Sequence, residues 1–191
     1  IKTLKEGDMG ASYGFQMRHF GAKYEGCDKD YTGKGFDQLE YCIKLLKTEK
    51  TSRRIMINLW NPAALKEMSL PPCMYGYQFY VNHANELSCK VTQRSSDIGL
   101  AGGWNITSAS LFVILMAKTY GFKPGDLVWS TGDTHIYENQ YDSIKQQLNR
   151  TPRPYPLLFI NKKNNITDYK YSDLKLVNYN PLPRIKISMN A

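Results

Sequence analysis

The segment "LPPC", Leu70 to Cys73, sets a cysteine behind two prolines at the mouth of an apolar run. Taken alone, a cysteine is most often a buried structural thiol, because free cysteine is among the most buried residue types. The context of Cys73 points toward chemistry instead. Pro71 and Pro72 stiffen its approach, and a thiolate becomes a useful nucleophile when nearby cations lower its pKa. The chain offers such cations at Arg53 and Arg54 and again at Arg94, inside "QRSSD". His135 and Tyr137 alternate in "GDTHIYENQ", so one strand could present both to one ligand. Read singly, each has a plainer role: a solvated arginine pair, a strand end with its turn, a His–Tyr packing pair. No GxSxG, P-loop or HExxH motif offers a competing site.

Positioning such residues takes a scaffold, and the hydrophobic periodicity outlines one. "FDQLEYCIKLLK" puts Phe36, Leu39, Ile43 and Leu46 on one helical stripe. "RIMINLW" and "YQFYV" read as buried strands. In "LSCKVTQRS", Cys89, Val91 and Gln93 share one face, and Ser88, Lys90, Thr92 and Arg94 the other. "WNITSASLFVILMAKTYG" has helical length with Gly121 as its stop. "LVWSTGDTHIY" predicts a further strand with Thr131, Asp133, His135 and Tyr137 at alternate positions. The proline-rich "RTPRPYP" and two short strands follow. Strands mixed around one long apolar helix predict an α+β domain, and without repeats or a low-complexity linker the 191 residues read as one domain, 1–191.

Composition narrows the partners. The net charge of +8 favours an anionic ligand: nucleic acid, an acidic surface, or a small phosphorylated or polyglutamylated molecule. The lysines are scattered, however, and the densest cluster, "NKKNN" at 161–165, reads as a loop rather than a nucleic-acid stripe. No apolar run reaches the ~18 residues of a membrane span, and neither a membrane nor a nucleic-acid partner is expected. Cys27, Cys42, Cys73 and Cys89 form no CxxC pair, and with only three histidines no metal site is expected. Unpatterned cysteines suit a reducing compartment, so the cytoplasm is expected, with the nucleus or the cytosol of a virus-infected host as alternatives. The sequons at Asn105, Asn149 and Asn165 read as chance matches. The chain opens at Ile1 without methionine, so residues removed or unseen are expected ahead of it.

The motifs also have an order. "GDMGASYGFQMRHFGAKY" looks like a GxxYGxQWR region, "SRRIMINLWNP" then "MSLPPC" like an arginine pair and nucleophile segment, and "QRSSDIGL", "GDTHIYENQ" and the closing "KISMNA" like phosphate, ribose and C-terminal segments. In that order they resemble the thymidylate synthase family over nearly the whole chain. The resemblance implies an α+β single-domain fold, a mixed sheet packed on a long buried helix, and a homodimer joined through the sheets.

The resemblance further implies that Cys73 adds to C6 of 2′-deoxyuridylate (dUMP), so that C5 attacks the methylene of 5,10-methylenetetrahydrofolate, the cosubstrate. A soft thiolate suits conjugate addition and leaves again. Tyr13 matches the tyrosine implicated in removing the C5 proton through ordered water. Gln93, Arg94 and Ser95 match substrate ligands, and Arg53 and Arg54 match a pair donated across a dimer interface to the partner's phosphate. A planar guanidinium holds phosphate oxygens bidentately and keeps its charge. Asn105 matches the asparagine that reads a uracil edge, donating to O4 and accepting from N3–H. His135 and Tyr137 match the ribose 3′-hydroxyl pair. Asp97 matches a pterin contact within the substrate site, and Trp60 and the tail from Met189 to Ala191 match the cofactor's surroundings.

Departures from the family pattern surround the nucleophile. Met74 replaces a histidine, Met17 a tryptophan and Thr92 a tyrosine, while "AGGWN" stands for Gly-x-Pro-Phe-Asn. The family's N-terminal part, with a phosphate-binding arginine loop and a catalytic glutamate, has no counterpart in this chain. The leading reading is reductive methylation of dUMP to dTMP. The runner-up is hydroxymethylation, in which water captures the C5 methylene and leaves 5-hydroxymethyl-dUMP and tetrahydrofolate. A nucleic-acid module, and a ligand-binding relic without turnover, are the readings from other classes.

Overall fold

A computed structural model describes residues 4–189. Its centre is a sheet of order β1-β2-β3-β4: β1 (Met56–Asn58), β2 (Met74–Val81), β3 (Glu86–Asp97) and β4 (Lys123–His135). β1 to β3 are antiparallel neighbours, whereas β3 and β4 run parallel and are joined through helix α3 (Gly102–Tyr120). A parallel pair needs such a crossover, because a tight turn cannot return the chain to the same end. The parallel register sets Gln93 beside Thr131, Ser95 beside Asp133 and Asp97 beside His135. The ends of β3 and β4 therefore meet the start of α3 at one edge of the sheet.

The alternation read in β3 is present: Leu87, Cys89, Val91 and Gln93 are buried, and Lys90 and Arg94 exposed. These residues join Ile57, Tyr77 and Phe79 from β1 and β2, and Val113, Met116 and Ala117 from α3, in one core. Removing a buried side chain such as Met116, to alanine, costs about 2–5 kcal/mol. Helix α2 (Gln38–Thr48) adds Leu39, Cys42, Ile43 and Leu46. Its start is fixed by Asp37, whose carboxylate accepts from the Glu40 amide at 3.0 Å and pairs with Arg18 of α1 (Tyr13–His19) at 2.8 Å. A capping contact of this kind stabilises by about 1 kcal/mol. A smaller cluster, Ala11, Tyr24, Tyr31, Ala64 and Met68, packs beneath α1.

Several elements differ from the sequence reading. Phe36 precedes the Asp37 cap and is 52% exposed, so it is not on the helical stripe. β1 is confined to three residues, and β4 begins at Lys123 and ends at His135, before Tyr137. Helices α1 and α4 (Tyr141–Leu148) were not anticipated, because both are short and carry no long apolar stripe. Helix α3 stops at Gly121, whose positive φ of 84° suits a residue without Cβ. It is not buried all round: Ala109, Val113 and Met116 face the sheet, while Ile106 and Leu111 line an open groove shared with the hairpin of β5 (Leu157–Ile160) and β6 (Leu174–Val177). A long, largely apolar helix reads as enclosed, yet the described chain supplies a sheet on one side only.

Candidate active site

Cys73 sits half-buried just ahead of β2, and its backbone is pinned from both sides. Its amide donates to the Tyr13 hydroxyl oxygen at 2.8 Å, and its carbonyl accepts from the Arg94 amide at 2.8 Å. Arg94 also reaches back along the proline segment. Its Nε donates to the Pro72 carbonyl at 3.0 Å and its Nη2 to the Pro71 carbonyl at 3.1 Å, with the guanidinium 5.5 Å from the Trp60 ring centre. Prolines have no amide hydrogen to place in a ladder, so this stretch leaves the sheet and offers its carbonyls to one arginine. The result is a cation and a thiol carried by one short, cross-braced unit.

Tyr13 begins α1 and brings its hydroxyl to this unit. Burial pushes its pKa up, opposed by the Cys73 amide donating to its oxygen and by the charge of Arg94. The phenol therefore stays protonated at neutral pH, and the Cys73 thiol, also within reach of its hydroxyl, pushes its pKa further up. The other thiols differ. Cys42 and Cys89 are buried in the core, and burial pushes each up to about 12. Cys27 is exposed, close to Asp28.

Beside Cys73, β3 and β4 present the polar set. Met74 pairs in register with Gln93, a buried side chain whose Nε2 donates to the Ser95 carbonyl at 2.7 Å and whose Oε1 has no partner among the described residues. Ser95 and Asp97 are half-buried. Asp97 caps the turn into α3 by accepting from the Leu100 amide at 3.1 Å, and its second oxygen accepts from Gln140 Nε2 at 2.9 Å. Asn105 lies in the first turn of α3, half-buried, its amide held to the Ala101 carbonyl at 2.9 Å. His135 ends β4 with Nδ1 2.9 Å from an Asp133 carboxylate oxygen, and its ring meets Tyr137 edge-on at 5.0 Å. Tyr137 lies past the ladder, but its backbone remains extended, so the alternate spacing carries on and brings the two rings together.

The expected residues thus fall into two places. Cys73, Tyr13, Trp60, Gln93, Arg94, Ser95, Asp97, Asn105, His135 and Tyr137 belong to elements that meet at one end of the sheet. Arg53 and Arg54 do not join them. They occupy an exposed turn, and Arg53 lines a groove with Tyr80 and Asn82 at the far end of β2, roughly 20 Å along the strand from Cys73. Ala191 lies outside the described residues, and Met189 is exposed. Sequence reasoning gave no role to Asp133 or Gln140. Asp133 was detectable as the residue two before His135 on the same face, whereas Gln140 sits in a short turn, Glu138–Gln140, where no periodicity signals a role. Met74 is half-buried against the core and accepts from the Tyr77 hydroxyl at 3.9 Å, and Trp104 of "AGGWN" is 73% exposed.

Residues 2–191 match the family model described as thymidylate synthase. The chain is similar to a thymidylate synthase of Saccharomyces cerevisiae, 45% identical over all of this chain and 66% of that protein. It is likewise similar to a thymidylate synthase of Homo sapiens, 47% identical over 99% of this chain and 60% of that protein. A bifunctional dihydrofolate reductase-thymidylate synthase of Zea mays is 46% identical over 97% of this chain and 36% of its own length. The chain therefore spans two thirds or less of these relatives.

Proposed function

The chain belongs to the thymidylate synthase family, and from that premise we propose that it methylates dUMP at C5 to give dTMP, with 5,10-methylenetetrahydrofolate as cosubstrate. The observation that carries this reading is the bracing of Cys73 by Tyr13 and Arg94 at the polar end of the sheet. Conjugate addition needs a thiol whose sulfur is placed and whose backbone does not move, and near-attack placement lowers a barrier through entropy lost in advance.

Cys73 Sγ adds to C6 of the uracil, and C5 becomes the carbon nucleophile. Asn105 takes the O4 and N3–H edge, and Gln93, whose buried Oε1 has no partner among the described residues, offers a further acceptor. Arg94 and Ser95 hold the phosphate, while His135, fixed by Asp133, and Tyr137 hold the ribose. Tyr13 moves the C5 proton through water. The half-buried Asp97, held by Gln140 Nε2, offers its carboxylate to the donor edge of a pterin, with Trp60 and the C-terminal segment as the remaining cofactor contacts. When bound, the folate supplies the one-carbon unit and then a hydride. Every named relative cited above is a thymidylate synthase, which favours methylation over the hydroxymethylase reading.

The distance of Arg53 and Arg54 from Cys73 supports a homodimer in which each chain completes its partner's phosphate site. The sheet surface turned away from the core carries Met56, Tyr80 and Val128 exposed at 49%, 61% and 52%, an apolar face suited to a second copy in C2 symmetry. A single catalytic domain and a cytoplasmic location complete the proposal. Among the described residues no helix is long and apolar enough to cross a membrane. Incubation of the protein with dUMP and methylenetetrahydrofolate tests the function. Dihydrofolate absorbance rising with dTMP mass supports it, and 5-hydroxymethyl-dUMP without dihydrofolate overturns it.

A further inference from the structure

Gln140 is fully buried and stands between two parts of the chain that are 91 residues apart in sequence, Asp97 and Ser188. Its Nε2 donates to Asp97 Oδ2 at 2.9 Å and to the Ser188 carbonyl at 3.1 Å. Both partners are acceptors only, so the amide has one workable orientation: a flip would set oxygen against two oxygens. Its Oε1 consequently points away and has no partner among the described residues. It faces Gly99, where even a Cβ would lie 3.0 Å from it. The segment that reaches Gln140 is itself laid along α4 by side chains that donate to its carbonyls, Arg150 to Pro183 at 2.7 Å and Ser143 to Lys186 at 3.0 Å. Gln140 is the last rung of that ladder and the one rung that touches the candidate site. Asp97 in turn holds the Leu100 amide at the entry to α3.

We propose that Gln140 is a positioning residue that couples the C-terminal segment to Asp97, so that the seating of residues 184–189 and the aim of the Asp97 carboxylate are one equilibrium. Coupling of this kind is reciprocal: whatever fixes Asp97 seats the segment, and whatever seats the segment fixes Asp97. A buried amide with one satisfied end and one open end has no packing advantage over an apolar side chain of its size, which is why the contact is read as coupling rather than filler. The catalytic consequence rests on the proposed folate-dependent transfer, whereas the coupling itself does not.

Amide hydrogen exchange on the full chain tests it with Gln140→Glu, which keeps the shape but turns the donor into an acceptor. Exchange should quicken by about tenfold both in residues 184–189 and at the Leu100 amide, with the β2 and β3 amides unchanged. Gln140→Met, apolar and of similar volume, is judged by the same pattern if the glutamate variant does not fold. Acceleration of the segment alone, of neither region, or of the whole sheet overturns the proposal. In turnover assays the variant should raise KM for methylenetetrahydrofolate more than it lowers kcat, and leave dUMP binding unchanged. If the unmutated protein shows no turnover, the function reading falls while the exchange result still decides the coupling.

Discussion

The two ends of β2 are built on opposite terms. At the Met74 end, Cys73 gives its amide to Tyr13 and its carbonyl to Arg94, and the side chain of Arg94 is fastened to the two preceding proline carbonyls. At the Val81 end, Arg53 and Arg54 stand in an exposed turn, and among the described residues no carboxylate pairs with either. A nucleophile is useful only if its position is determined before substrate arrives, so its surroundings are cross-linked by hydrogen bonds. An arginine pair outside such bracing keeps all its donors open to an anion, whereas Arg94 has already given two N–H groups to proline carbonyls and offers a phosphate only the rest. Under the proposed function, the first end serves chemistry within one chain and the second a ligand shared between two.

Changes at each end separate these assignments. The largest effect is expected from Cys73→Ala, which should lower turnover by about four decades or more while dUMP still binds, as isothermal calorimetry would register. Next comes complementation between chains. Arg53→Ala/Arg54→Ala and Cys73→Ala proteins, each nearly inactive, should recover about a quarter of the unmutated activity after equal subunit exchange, because half the dimers then hold one complete site. Proven exchange without recovery would confine the arginine pair to another task. Asn105→Asp should shift preference from dUMP toward dCMP by about 1–3 kcal/mol, the cost of a buried polar group left unpaired, measured as the ratio of kcat/KM values.

The smallest effect concerns the core thiols. Cys42 and Cys89, pushed by burial from 9.0 to about 12, hold their protons in the folded chain at pH values where the unfolded chain has lost them. A raised folded pKa gives stability that is complete below about 9 and lost as pH rises toward about 12. Denaturant midpoints should therefore fall across that window, and less so in Cys42→Ala/Cys89→Ala once its lower starting stability is subtracted. At pH 8 a thiol reagent should label Cys27 and Cys73 and spare the other two.

The same contrast explains what the sequence could tell. The β3 alternation and the α3 stop were legible because period and cap chemistry are local: Val91 and Gln93 face inward, and Gly121 takes the left-handed turn. The boundaries of β1 and β4 were not, because strand ends depend on which neighbour supplies the ladder, and β1 has one partner strand only. Cys73 and the arginines were visible as residue types, but the Arg94 bonds to Pro71 and Pro72 were not, since nothing in spacing foretells a side chain returning 22 residues to a carbonyl. Gln140 was invisible for the same reason, its partners lying 43 and 48 residues away. Tyr137 lies past the end of β4, yet its backbone is still extended and its ring meets that of His135, as the alternate spacing led one to expect.

In the proposed reaction Cys73, and no other thiol, attacks the uracil ring. Incubation with 5-fluoro-dUMP and methylenetetrahydrofolate, followed by peptide mass mapping, addresses it directly, because fluorine at C5 does not leave as a proton does and the covalent complex persists. A ternary adduct is expected on the peptide that contains Cys73, and none in the Cys73→Ala protein. An adduct on Cys27, Cys42 or Cys89, or complete absence of an adduct in a protein that turns over dUMP, would contradict it.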